Sequence, residues 1–240
     1  MQFIVIGGGW YGCRHTRQLL KAIARGKVSC DGILVVDRDP ACAASQEFAD
    51  QPLVRIITED WLDFLSRHFP DGATNASDQT VPTPFAPHLY FDWLRGSVQS
   101  ARGAASLASE AFELELGLPF EQSDASGNRY ISAAGWVCPV SCIEPQQCPA
   151  IRGPRTWELG DILRAHATTD TGFSSVALFT CRHYAFGVGT IPATQLLEVR
   201  SRVLAALDGD ESLRIAVATV SACHGVVGTL TVIPSSEAAL

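Results

Sequence analysis

The sequence predicts an α/β protein, with a mostly parallel sheet in its first part and a smaller cysteine-rich part after it. Three observations predict this. Short apolar runs alternate with amphipathic stretches over the first 95 or so residues, in the order β-α-β-α-β-α. The run Ile33–Val36 is apolar without interruption, as a parallel strand covered on both faces requires. The glycine pattern Gly7-Gly8-Gly9-Trp10-Tyr11-Gly12 stands between the first apolar run and the first amphipathic stretch.

In order, Phe3–Ile6 is the first strand and Trp10–Arg25 the first helix, with Leu19, Leu20 and Ile23 on its apolar face. Ile33–Val36 is the second strand and ends at Asp37. Pro40–Asp50 reads as a short helix and Val54–Ile57 as the third strand. Thr58 is placed to cap a helix over Glu59–His68, which carries Trp61, Leu62 and Leu65 on one side. Asp71–Asp78 is polar and reads as a loop, Val81–Phe85 as a short strand running into a turn, and His88–Leu94 as the start of a helix.

Ser97–Glu115 is Ala/Ser-rich, and its weak periodicity places no element. Asp124–Asn128 is a loop. Tyr130–Val137, Ser175–Cys181 and Leu213–Ser221 read as strands, Ala193–Leu207 as an amphipathic helix, and Val226–Ile233 as a last strand or short helix. Cys138–Arg155 carries four prolines and three cysteines and has no regular pattern. The boundary falls near residue 100, giving a nucleotide-binding part (1–100) and a second α+β part (101–240) with the cysteine loop at 138–148.

The net charge of −7 and the lack of a basic run argue against nucleic acid as a partner. The N-terminus lacks the basic region of a signal peptide, and no stretch approaches the roughly 18 apolar residues of a membrane span. The expected location is therefore the cytoplasm. There, eight cysteines read as metal ligands, redox groups or buried small residues rather than a disulfide framework. A homo-oligomer is compatible with the sequence, which does not set the number of chains.

The glycine pattern carries the chemistry. In a strand–turn–helix setting, Gly7 permits a tight turn, Gly9 lets backbone approach a pyrophosphate, and Gly12 lets the helix pack on the strand. The helix N-terminus, with Trp10 and Tyr11 at its mouth, offers free N–H groups and a partial positive charge. Asp37, 25 residues past Gly12, ends the second strand, where a carboxylate accepts bonds from ribose hydroxyls and repels a 2′-phosphate. That favours NAD over NADP. Arg38 pulls the other way, since a guanidinium there can meet a 2′-phosphate or stack on adenine. FAD and S-adenosylmethionine are rival ligands.

On Gly7, Gly9, Gly12 and Asp37 the chain resembles the NAD(P)-binding Rossmann superfamily over about residues 1–95. That resemblance implies a Rossmann-like sheet and places the nicotinamide end near Pro82–Leu94.

The second motif is Cys138-Pro-Val-Ser-Cys142-Ile-Glu-Pro-Gln-Gln-Cys148. Thiolates in a proline-studded loop suit zinc or an iron–sulfur cluster, with Cys223 as fourth ligand and Cys181, His183 and His224 as alternates. The spacing is that of neither a common zinc ribbon nor a ferredoxin, and buried or redox-active thiols are the competing reading. Together with Cys223-His-Gly, the Cys-Pro-x-x-Cys-x-Glu-Pro motif resembles bacterial Rossmann proteins of unassigned role, which implies no activity.

Cys13 opens the first helix, where the dipole lowers a thiol's pKa and where a small residue also packs beside the turn. His88 and Asp92 are candidate acid–base groups near the expected nicotinamide, or a surface pair. Arg152, Arg155 and Trp157 are candidates for holding an anionic substrate, or anchors of the loop. With two lysines, Lys21 and Lys27, and no Tyr-x-x-x-Lys, the short-chain dehydrogenase mechanism is excluded. The expected function is a small NAD(P)-dependent oxidoreductase acting on an unspecified small molecule. The competing reading is a non-enzymatic nucleotide or redox sensor, and a third is metal-dependent hydrolysis or lyase chemistry on a Rossmann scaffold.

Overall fold

The computed structural model describes residues 1–70, 73, 75–103, 107–169, 172–207 and 211–233. Its strands and helices make it a mixed α/β protein. In chain order they are β1 (Gln2–Ile6), α1 (Trp10–Ala24), β2 (Gly32–Asp37), α2 (Ala43–Glu47), β3 (Val54–Thr58), α3 (Trp61–His68), β4 (Gln79–Val81) and α4 (Leu89–Arg102). There follow β5 (Leu107–Glu110), β6 (Phe120–Ser123), β7 (Arg129–Ser132), β8 (Gln147–Cys148), β9 (Gly153–Pro154) and α5 (Leu159–Thr168). The last are β10 (Ser175–Thr180), β11 (Arg182–Ala185), β12 (Val188–Pro192), α6 (Ala193–Ala206), β13 (Leu213–Val220) and β14 (His224–Val232).

The chain forms two compact units. The first holds Met1–Leu89, Pro139–Ile143 and Cys181–Leu197, and the second holds the rest. Where the sequence suggests one cut near residue 100, two later segments return to the first unit.

The first unit contains a six-stranded sheet in the order β11-β12-β4-β1-β2-β3. β4, β1, β2 and β3 run parallel, and β12 and β11 add to the β4 edge antiparallel. From Phe3 to Ile6, β1 is apolar and buried because both of its faces are covered. Phe3 and Val5 join one core with Ile33, Val35, Leu19, Cys13 and Val81, while Ile4 and Ile6 are also buried. The β11–β12 hairpin turns through Phe186 and Gly187 at φ +49° and +78°, the two positive values a type I′ turn requires. Phe186 meets that demand with its ring beside Lys21 and Arg25 of α1, at 5.9 and 5.6 Å.

The second unit contains a sheet in the order β10-β13-β14-β7-β6, with β5 also on β14. Only β10–β13 is parallel there. α5 covers this sheet through Leu159 and Leu163, which share a core with Leu178, Ala216, Ala218 and Val220. β8 and β9 form a separate two-stranded ribbon.

Several expectations are corrected. The sheets are mixed, so "mostly parallel" describes only the centre of the first. Asp60, not Thr58, caps α3, its carboxylate accepting from the Leu62 N–H. The second helix is shorter than Pro40–Asp50, the fourth strand lies earlier than Val81–Phe85, and β14 is a strand, not a helix. The first six residues of Ser97–Glu115 continue α4, and Leu107–Glu110 within it form β5. Residues 104–106 of that stretch, and 71, 72 and 74 of the expected Asp71–Asp78 loop, lie outside the described residues. Among the described residues, no helix is long and apolar enough to cross a membrane.

Candidate functional site

The glycine turn joins the end of β1 to the start of α1. β2 lies on one side of β1 and β4 on the other, so the chain leaves β1 where the strand order changes direction. In open α/β sheets the crevice at such a point, past the strands' C-terminal ends, is where ligands sit.

Three of the turn's four glycines have a reason inside the fold. Gly7 has φ +87°, and its N–H donates to the Val36 carbonyl at 2.8 Å. A Cβ at Gly8 would lie 2.4 Å from the Cys42 sulfur, and one at Gly12 would lie 1.8 Å from the Gly7 carbonyl oxygen. Gly9 is different. Its φ is −80°, which any residue adopts, and a Cβ there would meet nothing within 4 Å. Gly9 is also the N-cap of α1, has no side-chain cap bond and is followed by no acidic residue in the first turn. The helix start therefore presents N–H groups that no carboxylate of the first turn neutralises.

Asp37 stands beside this turn at the end of β2. Its carboxylate accepts from the Gly8 N–H at 2.6 Å and from the Asp39 N–H at 3.0 Å. The side chain thus seats the turn while placing negative charge beside it, and two carboxylate oxygens retain lone pairs for further donors. Arg38 is exposed and leans toward Asp60 at 3.9 Å. The Trp61 indole N–H reaches the Val36 carbonyl at 3.0 Å. That closes the floor under Gly7, a role the sequence reading did not give it.

Trp10 is 60% exposed and Phe85, on the loop after β4, is 77% exposed. Tyr11 bridges them edge-on, its centroid 4.8 Å from Trp10 and 5.6 Å from Phe85. His15 lies one turn further along α1, 6.2 Å from Tyr11. Burial, and then the Arg14 charge, lower its pKa to about 4, so it is neutral at pH 7. Cys13 is buried, and desolvation raises its thiol to about 11, so the helix dipole does not make it a reactive thiolate.

The acid–base candidates lie at the start of α4. α4 begins at Leu89, so His88 precedes the helix, while Asp92 in its first turn pairs with Arg95 at 3.6 Å.

The cysteine candidates fall in both units. Cys142, Cys181 and His183 belong to the first unit, and Cys138, Cys148, Cys223 and His224 to the second. Among the described residues, no three His, Cys, Asp or Glu side chains form a group able to hold a metal ion. His183 is drawn into its hairpin, its Nε2 accepting from the Gly187 N–H at 3.0 Å. Cys148 is buried on the β8–β9 ribbon.

Cys223 lies in the β13–β14 turn, where the Trp157 indole N–H donates to its sulfur at 3.4 Å. Burial still raises that thiol to about 11, and the nearby Glu144 and Cys138 add to the effect. His224 Nδ1 lies 3.0 Å from the Ser132 hydroxyl.

That turn is held by a residue the sequence reading quoted only as part of a motif. Glu144, at φ +51°, accepts from the Ser221 hydroxyl at 2.6 Å and the Ala222 N–H at 2.8 Å. The partners are 77 and 78 residues away, so no local pattern signals the contact. Arg155 is buried, bonding the Trp157 carbonyl and, at 2.7 Å, Glu158. That makes it an anchor of the loop, with its charge already matched.

Residues 90–233 match the AF_1314_C family model, described as "Uncharacterized protein, C-terminal domain". The match covers more than half of the chain. The chain belongs to the AF_1314_C family. The AF_1314_C segment takes in the Glu144–Ser221 bond, Cys223 and the whole second sheet, and it leaves the glycine turn outside. No curated protein and no solved structure matches the chain.

Proposed function

We propose that the first unit is a Rossmann-like domain that binds NAD at the glycine turn, and that the chain is a small NAD-dependent oxidoreductase. The observation that carries the binding is Gly9. Glycine at positions 7, 8 and 12 answers to φ or to a steric clash, whereas position 9 has neither and opens on free space at a helix N-terminus. A glycine of this kind is the one a pyrophosphate needs, because only a bare backbone allows the phosphate oxygens to reach the N–H groups.

The remaining residues fit the same ligand. Gly9, Trp10 and Tyr11 supply the helix start, and Asp37 stands where an adenosine ribose can donate to it while excluding a 2′-phosphate. Arg38, exposed beside Asp60, is free to turn toward the adenine face. NAD, when bound, accepts or delivers a hydride. The protein's part is to bind, orient and exclude water.

Titration of the purified chain with NADH and NADPH tests the binding. NADH binding in the micromolar range, and at least tenfold tighter than NADPH, is the expected result. Asp37→Asn keeps an acceptor for the Gly8 N–H, removes the charge, and should narrow that preference. No binding of either nucleotide to the wild-type chain overturns the proposal.

A second reading has an observation of its own. Asp92, a candidate acid on α4, is ion-paired with Arg95 at 3.6 Å, which favours a module that senses the nucleotide without turning it over. Oxidation of NADH at 340 nm, assayed across carbonyl and imine substrates, separates the two.

A further inference from the structure

We infer that Trp10, Tyr11 and Phe85 form an aromatic wall that packs against the nicotinamide ring of the bound nucleotide. The inference rests on the reading of the glycine turn as a nucleotide site and specifies what that site recognises.

The wall starts at the residue that follows Gly9. Trp10 heads α1 with most of its surface in solvent, and Phe85 on the loop after β4 is more exposed still. Two large aromatic groups exposed on either side of Tyr11 are unusual on a surface that only needs to be wetted. They are also held in place rather than loose. Tyr11 braces both rings edge-to-face, at interplanar angles of 88° and 74°, and the Arg14 guanidinium lies 6.0 Å from the Trp10 centroid. A braced, exposed aromatic row is preorganised for a planar partner, because its side chains lose little freedom when the partner arrives.

The position in the sheet selects which ring. Asp37 lies on the β2 side of β1 and Phe85 on the β4 side, with the glycine turn between them. A nucleotide that sets its adenosine ribose at Asp37 and its phosphates at Gly9 can only direct its second base toward β4. The wall therefore meets the nicotinamide and not the adenine.

The experiment compares NADH with ADP-ribose, which carries the adenosine and both phosphates but no nicotinamide. Trp10→Ala and Phe85→Ala should each weaken NADH about tenfold, the scale of one lost base–aromatic stack, and leave ADP-ribose within about twofold of wild type. Trp10→Phe should recover most of the loss. Both residues are exposed, so thermal melting should show the variants folded. Equal weakening of both ligands, or no change in either, overturns the wall while leaving the turn as the nucleotide site. A wild-type chain that binds neither ligand overturns both proposals.

Discussion

Replacing Gly12 by alanine would set a Cβ 1.8 Å from the Gly7 carbonyl oxygen and 2.9 Å from its carbonyl carbon. Both are backbone atoms at the end of β1, and the Gly7 N–H is itself tied to Val36. Relief therefore demands a shift of more than about 1 Å between the start of α1 and the strand it packs on. Overpacking of a tight site costs roughly 1–3 kcal/mol and sometimes more, and a helix displaced from its core belongs at the upper end. At about 3 kcal/mol, the melting temperature of a chain this long should fall by roughly 6–12 °C.

Gly9→Ala is the matched control. It creates no clash and no backbone strain, and exchanging glycine for alanine at an N-cap should cost no more than about 1 kcal/mol. Its melting temperature should stay within a few degrees, yet its NADH affinity should fall at least tenfold. Differential scanning calorimetry and calorimetric titration on the two variants read both effects. A stable Gly12→Ala variant would refute the steric reasoning. A Gly9→Ala variant that binds NADH as tightly as wild type would refute the assignment of that glycine to a ligand.

Glu144→Ala removes the acceptor for the Ser221 hydroxyl and the Ala222 N–H, and bonds to a carboxylate are worth about 1.5–3 kcal/mol each. Urea unfolding should show a clear loss of stability, and a change below about 0.5 kcal/mol would deny Glu144 its role in the turn. His15 has a folded pKa of about 4 against 6.5 when unfolded, so the unfolded state binds the extra proton between those values and stability falls as pH drops from 6.5 to 4. The loss is at most about 3–4 kcal/mol, and His15→Gln should flatten the urea midpoint's pH dependence over that window; an unchanged slope would show that His15 is not its source. Cys13 and Cys223, both buried and raised to about 11, should resist iodoacetamide at pH 7.5 until urea is added. Peptide mapping that finds Cys223 alkylated at once in the native protein would contradict its burial.

The first 68 residues were readable because each element there declares itself locally. β1 and β2 contain the apolar runs Phe3–Ile6 and Ile33–Val36, α1 carries a helical stripe, and the glycines sit between strand and helix. The second part was harder for physical reasons that particular residues show. α5 begins after Glu158, whose side chain makes no cap bond, and carries Gly160 in its first turn, so it lacks a start signal. The β11–β12 hairpin sets Phe186 at its first turn position, ahead of Gly187, where turn rules expect asparagine, aspartate or glycine, so the positive φ there has no local signal. The proline–cysteine loop is organised by Glu144 reaching a turn far along the chain, and no spacing rule contains that contact. The cysteines stand out by their spacing, whereas a residue that ties the loop down, Glu144, is a carboxylate between two of them.

The most direct test of the central claim is a calorimetric titration of NADH into the intact wild-type chain, with Gly9→Ala alongside. Binding near one equivalent per chain, in the micromolar range and weakened at least tenfold by Gly9→Ala, is the predicted result. A flat titration for the wild-type chain, with the protein shown to be folded, would contradict it.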